Sequence, residues 1–344
     1  MTRTLPLGRE MPEERRVGAD GGSQGNGMSM LVGAIPDRKT RLSGWFNRKG
    51  WSLMMIAAPY AWLVLFFLIP FVIVLAMSFA TQTPTMPPFS YGGEHPLLNI
   101  EGYARLVHDD LYVRSFLISL GNAAMATVTC LLLGYPMALA LARASRTWRN
   151  FLLMLVVLPF WTSFLLRVYA WMGLMGANSW FNKQLTAFYN LLVPAEWARQ
   201  SIPMMHTNFA VVLVTTYTYL PFMILPLFAS LEKLDRTLNE AAMDLGSRPF
   251  QVFRDITLPQ SIPGIVAGGL LVFIPAAGEM VIPTLVGNAS RPMIGRVISD
   301  EFSSARDWPM AASVSVVLLA LMVTPMMAYA HFHAKAIRRQ RSQP

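Results

Sequence analysis

The chain is poor in charge. Only 14% of its 344 residues are Asp, Glu, Lys or Arg, while 54% are hydrophobic. Soluble domains carry about a quarter charged residues, so a water-soluble globule is excluded. It has a single cysteine, Cys130, inside an apolar stretch, so no internal disulfide and no cysteine-built metal site can form. Histidine is scarce too: His95, His108, His206, His331 and His333 make no constellation of catalytic or metal-ligating type. No GxxxxGK[ST] stretch is present, which excludes a P-loop nucleotide site in this chain. Residues 1–50 lack an apolar run followed by a small-residue cleavage site, so no cleaved leader is expected.

What is abundant is long apolar runs. Six read as membrane spans, at about 52–80, 115–142, 151–176, 208–231, 262–285 and 309–333. Each is long enough to cross a hydrocarbon core of roughly 30 Å at about 1.5 Å per residue. Each contains proline: Pro70, Pro136, Pro159, Pro221 with Pro226, Pro275 and Pro325. Proline removes a backbone donor and kinks a helix, although membrane helices tolerate it. Residues 1–50 read as a polar, largely disordered tail ending in a basic run with Trp45 and Phe46, and 334–344 as a second basic tail.

The net charge of +9 does not point to nucleic acid, because the basic residues are sorted by compartment. Twenty Lys and Arg fall in residues 1–50, the 143–149 connection, the 232–260 loop and the C-terminal tail. Seven fall in the alternate loops, and one, Arg167, lies within a span. The positive-inside rule therefore places both termini and the 232–260 loop in the cytoplasm.

That loop, EKLDRTLNEAAMDLGSRPFQVFRDITLPQS, is the most informative segment. Leu231, Leu234, Leu238, Ala241, Ala242 and Leu245 recur at helical spacing and give one apolar stripe. Gly246 is placed to cap that helix in the left-handed conformation. Ser247 can cap a second helix carrying Phe250, Phe253 and Ile256, with Pro249 in its first turn and Pro259 ending it. From periodicity alone this is either an amphipathic pair lying on lipid or on its own bundle, or a partner-binding projection.

The residues of the loop, Glu240-Ala241-Ala242, then Gly246, then Ile256 and Leu258-Pro259, match the EAA motif of ABC-importer permeases. The segments 158–175, 219–235, 271–287 and 293–311 further resemble the permease subunits of putrescine/spermidine importers. The resemblance covers about residues 51–333. It implies an all-α fold of the type I importer permease class, with six transmembrane helices and a helix–turn–helix coupling loop. It implies a transport subunit without catalysis or cofactor of its own, ATP and Mg being bound by a partner ATPase. The implied partners are a second, similar permease subunit forming a heterodimer, two ATPases and a periplasmic polyamine-binding protein, assembled in a bacterial inner membrane. Glu240, Ala241, Ala242, Gly246, Ile256, Leu258 and Pro259 are then the coupling residues.

Glu279 is the only acidic residue within a span and Arg167 the only basic one. Counted along straight helices, they stand at matching depth. Ionisable groups inside a membrane line a cavity or pair with each other. Glu279 therefore either receives a substrate ammonium or pairs with Arg167, or does each in turn. Trp161, Tyr169, Trp171, Tyr217 and Tyr219 add rings suited to ammonium groups, with Trp161 and Tyr217 the leading candidates and Tyr169 open to an interfacial role. Asp300, Glu301 and Asp307, in an external loop, are candidates for docking the binding protein. Competing readings are a permease for iron, sulfate or thiamine, a polytopic membrane enzyme, and a channel. The last would leave the EAA loop unexplained.

Overall fold

The computed structural model describes residues 55–91, 98–194, 197 and 199–341, with no side-chain account for Arg236, Pro325 and 328–341. The expected N-terminal tail and the acidic residues Glu94 and Glu196 lie outside the described residues. The chain divides into two units, Met1–Phe67 and Leu68–Pro344. The described part of the first is the exposed, apolar beginning of helix α1, Met55–Met77, which passes through a π-turn at Val64–Leu68.

In the second unit a two-residue antiparallel pair, β1 (Thr81–Gln82) and β2 (Phe89–Ser90), leads to the short α2 (Glu101–His108). Then follow α3 (Asp110–Arg143), α4 (Arg146–Val157), α5 (Phe164–Met175) and α6 (Trp180–Leu192). Beyond them run α7 (Asn208–Leu231), α8 (Arg236–Asp244), α9 (Pro249–Ala277), α10 (Val281–Val286), α11 (Ile294–Ser303) and α12 (Trp308–Arg341). Among the described residues, four helices (α1, α3, α7, α9) are each long and apolar enough to cross a membrane, and α4 and α5 reach that length and hydropathy only as a bent pair. The described apolar part of α12, Trp308–Thr324, is shorter.

The centre of the unit is α7, packed on both α3 and α9, which also pack on each other. In lipid no hydrophobic force drives apolar helices together, so close approach depends on small residues. Gly264 and Gly268, four apart on α9, supply it. A Cβ at Gly264 would stand 2.6 Å from the Ser230 Cβ, and one at Gly268 would stand 3.1 Å from the Met223 carbonyl oxygen. Met223, Ile224, Leu227 and Val272 are fully buried around this contact. Polar bonds lock the rest: the hydroxyls of Tyr135 and Ser261 meet at 2.9 Å, and Ser119 Oγ accepts the N–H of Ile294 at 2.7 Å.

Two of the expected spans are broken. The run 151–176 is not one helix: α4 ends in a 3₁₀ turn, Leu158–Trp161, and α5 leaves at 91°. Pro159 sits in that turn, and the hydroxyl of Thr162 donates back to its carbonyl at 2.8 Å, while Thr162 itself is extended. A residue without a donor and a competing side-chain bond together end the helix. The expected span 262–285 starts earlier and stops earlier, at Ala277, and Gly278–Met280 separate it from α10. The C-terminal residues expected as a separate tail continue α12 as far as Arg341.

Candidate functional site

In the 232–260 loop the structure builds a helix pair, with corrected boundaries. The apolar stripe is shared by two elements: Leu231 is the buried last residue of α7 and Leu234 packs on the same core, whereas Leu238 and Ala241 on α8 and Leu245 at its C-cap are exposed. Asp235 caps α8 by accepting the Thr237 N–H at 2.9 Å, a bond that holds its carboxyl below the usual range. The end is a Schellman turn: Gly246 stands at φ 86°, its N–H bonds to Met243 and that of Ser247 to Ala242.

Ser247 is not the cap of the next helix. That place belongs to Arg248, whose N–H is held at 2.8 Å by the side chain of Gln251, with Pro249 in the first turn as expected. Pro259 does not end the second helix. Phe253–Thr257 widen into a π-turn and α9 runs on through Leu258 and Pro259 to Ala277. A π-turn just before proline relieves the clash of its ring with the preceding turn. Ile256 and Leu258 are half-buried at this join.

The exposed face of the pair is apolar at its tip. Leu245 is 89% and Phe250 71% exposed, with Met243 and Leu238 beside them. Glu240 and Ala241 are exposed and Ala242 half-buried on the same short helix. Between the pair and the ends of α3 and α7 lies a cleft of about 370 Å³ lined by Arg143, Glu232, Asn239, Glu240 and Phe253 among others. Arg149 of α4 bonds Glu232 at 2.6 Å, so the 143–149 connection is tied to the base of the loop.

Glu279 lies in the break between α9 and α10, half-buried. Its Oε1 accepts the N–H of Val281 at 2.9 Å, and its Oε2 accepts the Tyr219 hydroxyl at 2.6 Å. Gly295 braces the break from α11: a Cβ there would lie 2.5 Å from the Gly278 carbonyl oxygen. No Arg167–Glu279 ion pair forms in the structure. The 91° bend removes the straight-helix count that put the two at equal depth. Arg167 instead lies 6.0 Å from the Phe164 ring, and its buried Nε and Nη1 have no hydrogen-bond partner.

The aromatic candidates separate. Tyr217 packs edge-on against Trp171 at 5.5 Å, and Trp161, 80% exposed, and Tyr169 face outward. The ring at the carboxylate is Tyr219, followed by Phe222 at 6.0 Å and then Phe160 at 5.1 Å from Phe222. Sequence spacing could not single out this row, because Tyr219 and Glu279 are sixty residues apart.

The external acids also separate. Asp307 is 5% exposed; it caps α12 through the Met310 N–H and pairs with Arg105 at 3.3 Å, so it is not presented to a partner. Glu301 accepts the Tyr112 hydroxyl at 2.7 Å, and Asp300, near Arg296, stays exposed. Asn182, which the sequence did not mark, is fully buried and ties α6 to Met175 and Ile202.

A bundle of apolar helices with two broken spans and a projecting helix pair defines a membrane transport component. The chain belongs to the family of binding-protein-dependent transport system inner membrane components, whose model matches residues 131–339. It is thus a multi-pass inner-membrane permease that works with a binding protein, and a transport subunit rather than an enzyme. It is 39% identical to the spermidine/putrescine transport system permease protein PotB of Haemophilus influenzae, over 80% of this chain and 91% of that one. It is 37% identical to PotB of Escherichia coli, over 80% of this chain and 95% of that one. In fold it is similar to a bacterial ABC transporter involved in alginate import, with a TM-score of 0.62 at 15% identity, covering 86% of this chain and 99% of that one.

Proposed function

We propose that the chain is the transmembrane permease subunit of an ATP-driven importer that carries polyamines, putrescine first among them, from periplasm to cytoplasm. The carrying observation is the identity of 37–39% to spermidine/putrescine permeases along nearly their whole length. The site chemistry agrees with a cationic cargo. The only acidic residue expected in the spans, Glu279, stands at a helix break, held by one hydroxyl and the backbone N–H groups of Val281 and Ile282 rather than by a cation. A substrate ammonium can take the place of the Tyr219 hydroxyl and gain a charge-assisted bond.

The exposed pair α8–α9 is the coupling element. Its apolar tip and Glu240 are offered to a cytoplasmic ATPase, and Ala241, Ala242 and Gly246 let that partner come close. The continuous helix through Ile256, Leu258 and Pro259 carries motion of the loop directly into α9, whose far end is the Glu279 break. Two such ATPases, a second permease subunit in a heterodimer, and a periplasmic polyamine-binding protein complete the assembly. Both termini lie in the cytoplasm by the distribution of Lys and Arg. Of the three candidate acids, Asp300 is the exposed one that can meet the binding protein, with Glu301 behind it. No cofactor is held by this chain, ATP and Mg being bound by the ATPases.

The test is uptake of labelled putrescine and ATP hydrolysis by the complex in liposomes with its binding protein. ATP-dependent putrescine uptake is expected. Hydrolysis stimulated by a different solute, with no polyamine uptake, would leave a permease of another specificity.

A further inference from the structure

Glu279 offers a single carboxyl group, and it is the only acid in the expected spans. A diamine carries two ammonium groups joined by an apolar methylene chain. The carboxylate can neutralise one end only, so the second end and the chain need a surface that is apolar and yet attracts cations. Aromatic faces have both properties.

The structure places such a surface beside the carboxylate. Tyr219 bonds Glu279 at 2.6 Å, Phe222 lies one turn along α7 with its ring 6.0 Å from that of Tyr219, and Phe160 follows 5.1 Å beyond. Phe160 reaches this position because it sits in the 3₁₀ turn where α4 bends into α5. Both broken spans therefore meet α7 at one row of groups. Irregular backbone at membrane depth is tolerated where it is buried in protein or lines a cavity. Phe222 and Phe160 are each more than a third exposed on this chain, and Tyr219 and Glu279 are half-buried.

We propose that Phe160 and Phe222 are specificity residues of the translocation path, receiving the methylene chain and the second ammonium of a diamine whose first ammonium is held at Glu279. This rests on the polyamine reading above. It separates a diamine from a monoamine, which has nothing to place on the distal ring, and from inorganic cations, which have no chain.

The experiment uses the complete transporter in liposomes with saturating loaded binding protein and measures maximal putrescine uptake. Phe222→Leu and Phe160→Leu keep apolar bulk and remove the π face. Each is expected to lower uptake about three- to tenfold, while Phe222→Tyr and Phe160→Tyr stay near wild type. ATP hydrolysis stimulated by loaded binding protein is measured beside uptake, so that each loss is read per ATP turned over. Should leucine unsettle the bundle, Phe222→Met and Phe160→Met give the same comparison. Wild-type uptake in the leucine variants, or equal losses with leucine and tyrosine, would overturn the proposal. A wild-type transporter that moves another solute and no putrescine would instead sink the polyamine reading, and this inference with it.

Discussion

Tyr219 and Glu279, sixty residues apart in the chain, share a hydrogen bond of 2.6 Å. One partner is on the unbroken α7 and the other in the break that follows α9. The bond holds the single expected intramembrane carboxylate in place while leaving it no cationic partner. Tyr219→Phe should therefore lower polyamine uptake several-fold and leave residual transport, because the Val281 N–H still orients Oε1. Uptake rates at matched protein levels check this, and an unchanged rate would remove the tyrosine from the path.

Arg167 gives a prediction of opposite sign for stability and function. Its Nε and Nη1 are buried without acceptors, and an unsatisfied buried donor costs about 1–3 kcal/mol. Arg167→Met should raise the thermal unfolding temperature of the purified complex while lowering uptake. A fall in both would mean that the guanidinium is satisfied in the assembled transporter.

The glycine contacts between α7 and α9 predict a graded response. Gly268→Ala, which would meet the Met223 carbonyl at 3.1 Å, should destabilise by about 1–3 kcal/mol. Gly269→Ala is its control, since the nearest atom is Thr127 Cγ2 at 3.8 Å; it should be neutral or slightly stabilising. Thermal unfolding of the two variants side by side checks the difference.

Gly246→Ala forces a Cβ into the left-handed region at φ 86°, which costs about 1–2 kcal/mol. The space around it is open, so the penalty is conformational and local to the turn between α8 and α9. The expected result is weaker retention of the ATPase on purification with unaltered thermal stability of the membrane helices.

The sequence carried a large part of this molecule. Four of the six apolar runs lie on helices long enough to cross a bilayer and the run 151–176 folds as a bent pair, while Gly246 marked its turn because few other residues accept φ 86°. The apolar stripe of the 232–260 loop was legible but its boundaries were not: Leu231 and Leu234 kept helical spacing across the junction between α7 and α8. Prolines announced kinks in all six runs. Which of them would break a span depended on local bonds such as Thr162 to the Pro159 carbonyl. The Arg167–Glu279 pairing failed for the same reason, since depth counted along a helix has no meaning past a 91° bend. Tyr219, Phe222, Phe160 and Gly295 gained their places through tertiary contact, which periodicity does not encode. Asp307 looked like the surface acids beside it until the fold buried it as a cap for α12.

The most direct measurement is uptake of labelled putrescine together with ATP hydrolysis in liposomes, for wild type, Glu240→Ala and Glu279→Gln. The account predicts that Glu240→Ala lowers both, because coupling is lost. It predicts that Glu279→Gln abolishes most uptake while loaded binding protein still stimulates hydrolysis. Wild-type uptake by Glu279→Gln would contradict a path through that carboxylate, and wild-type hydrolysis and uptake by Glu240→Ala would contradict coupling through the loop.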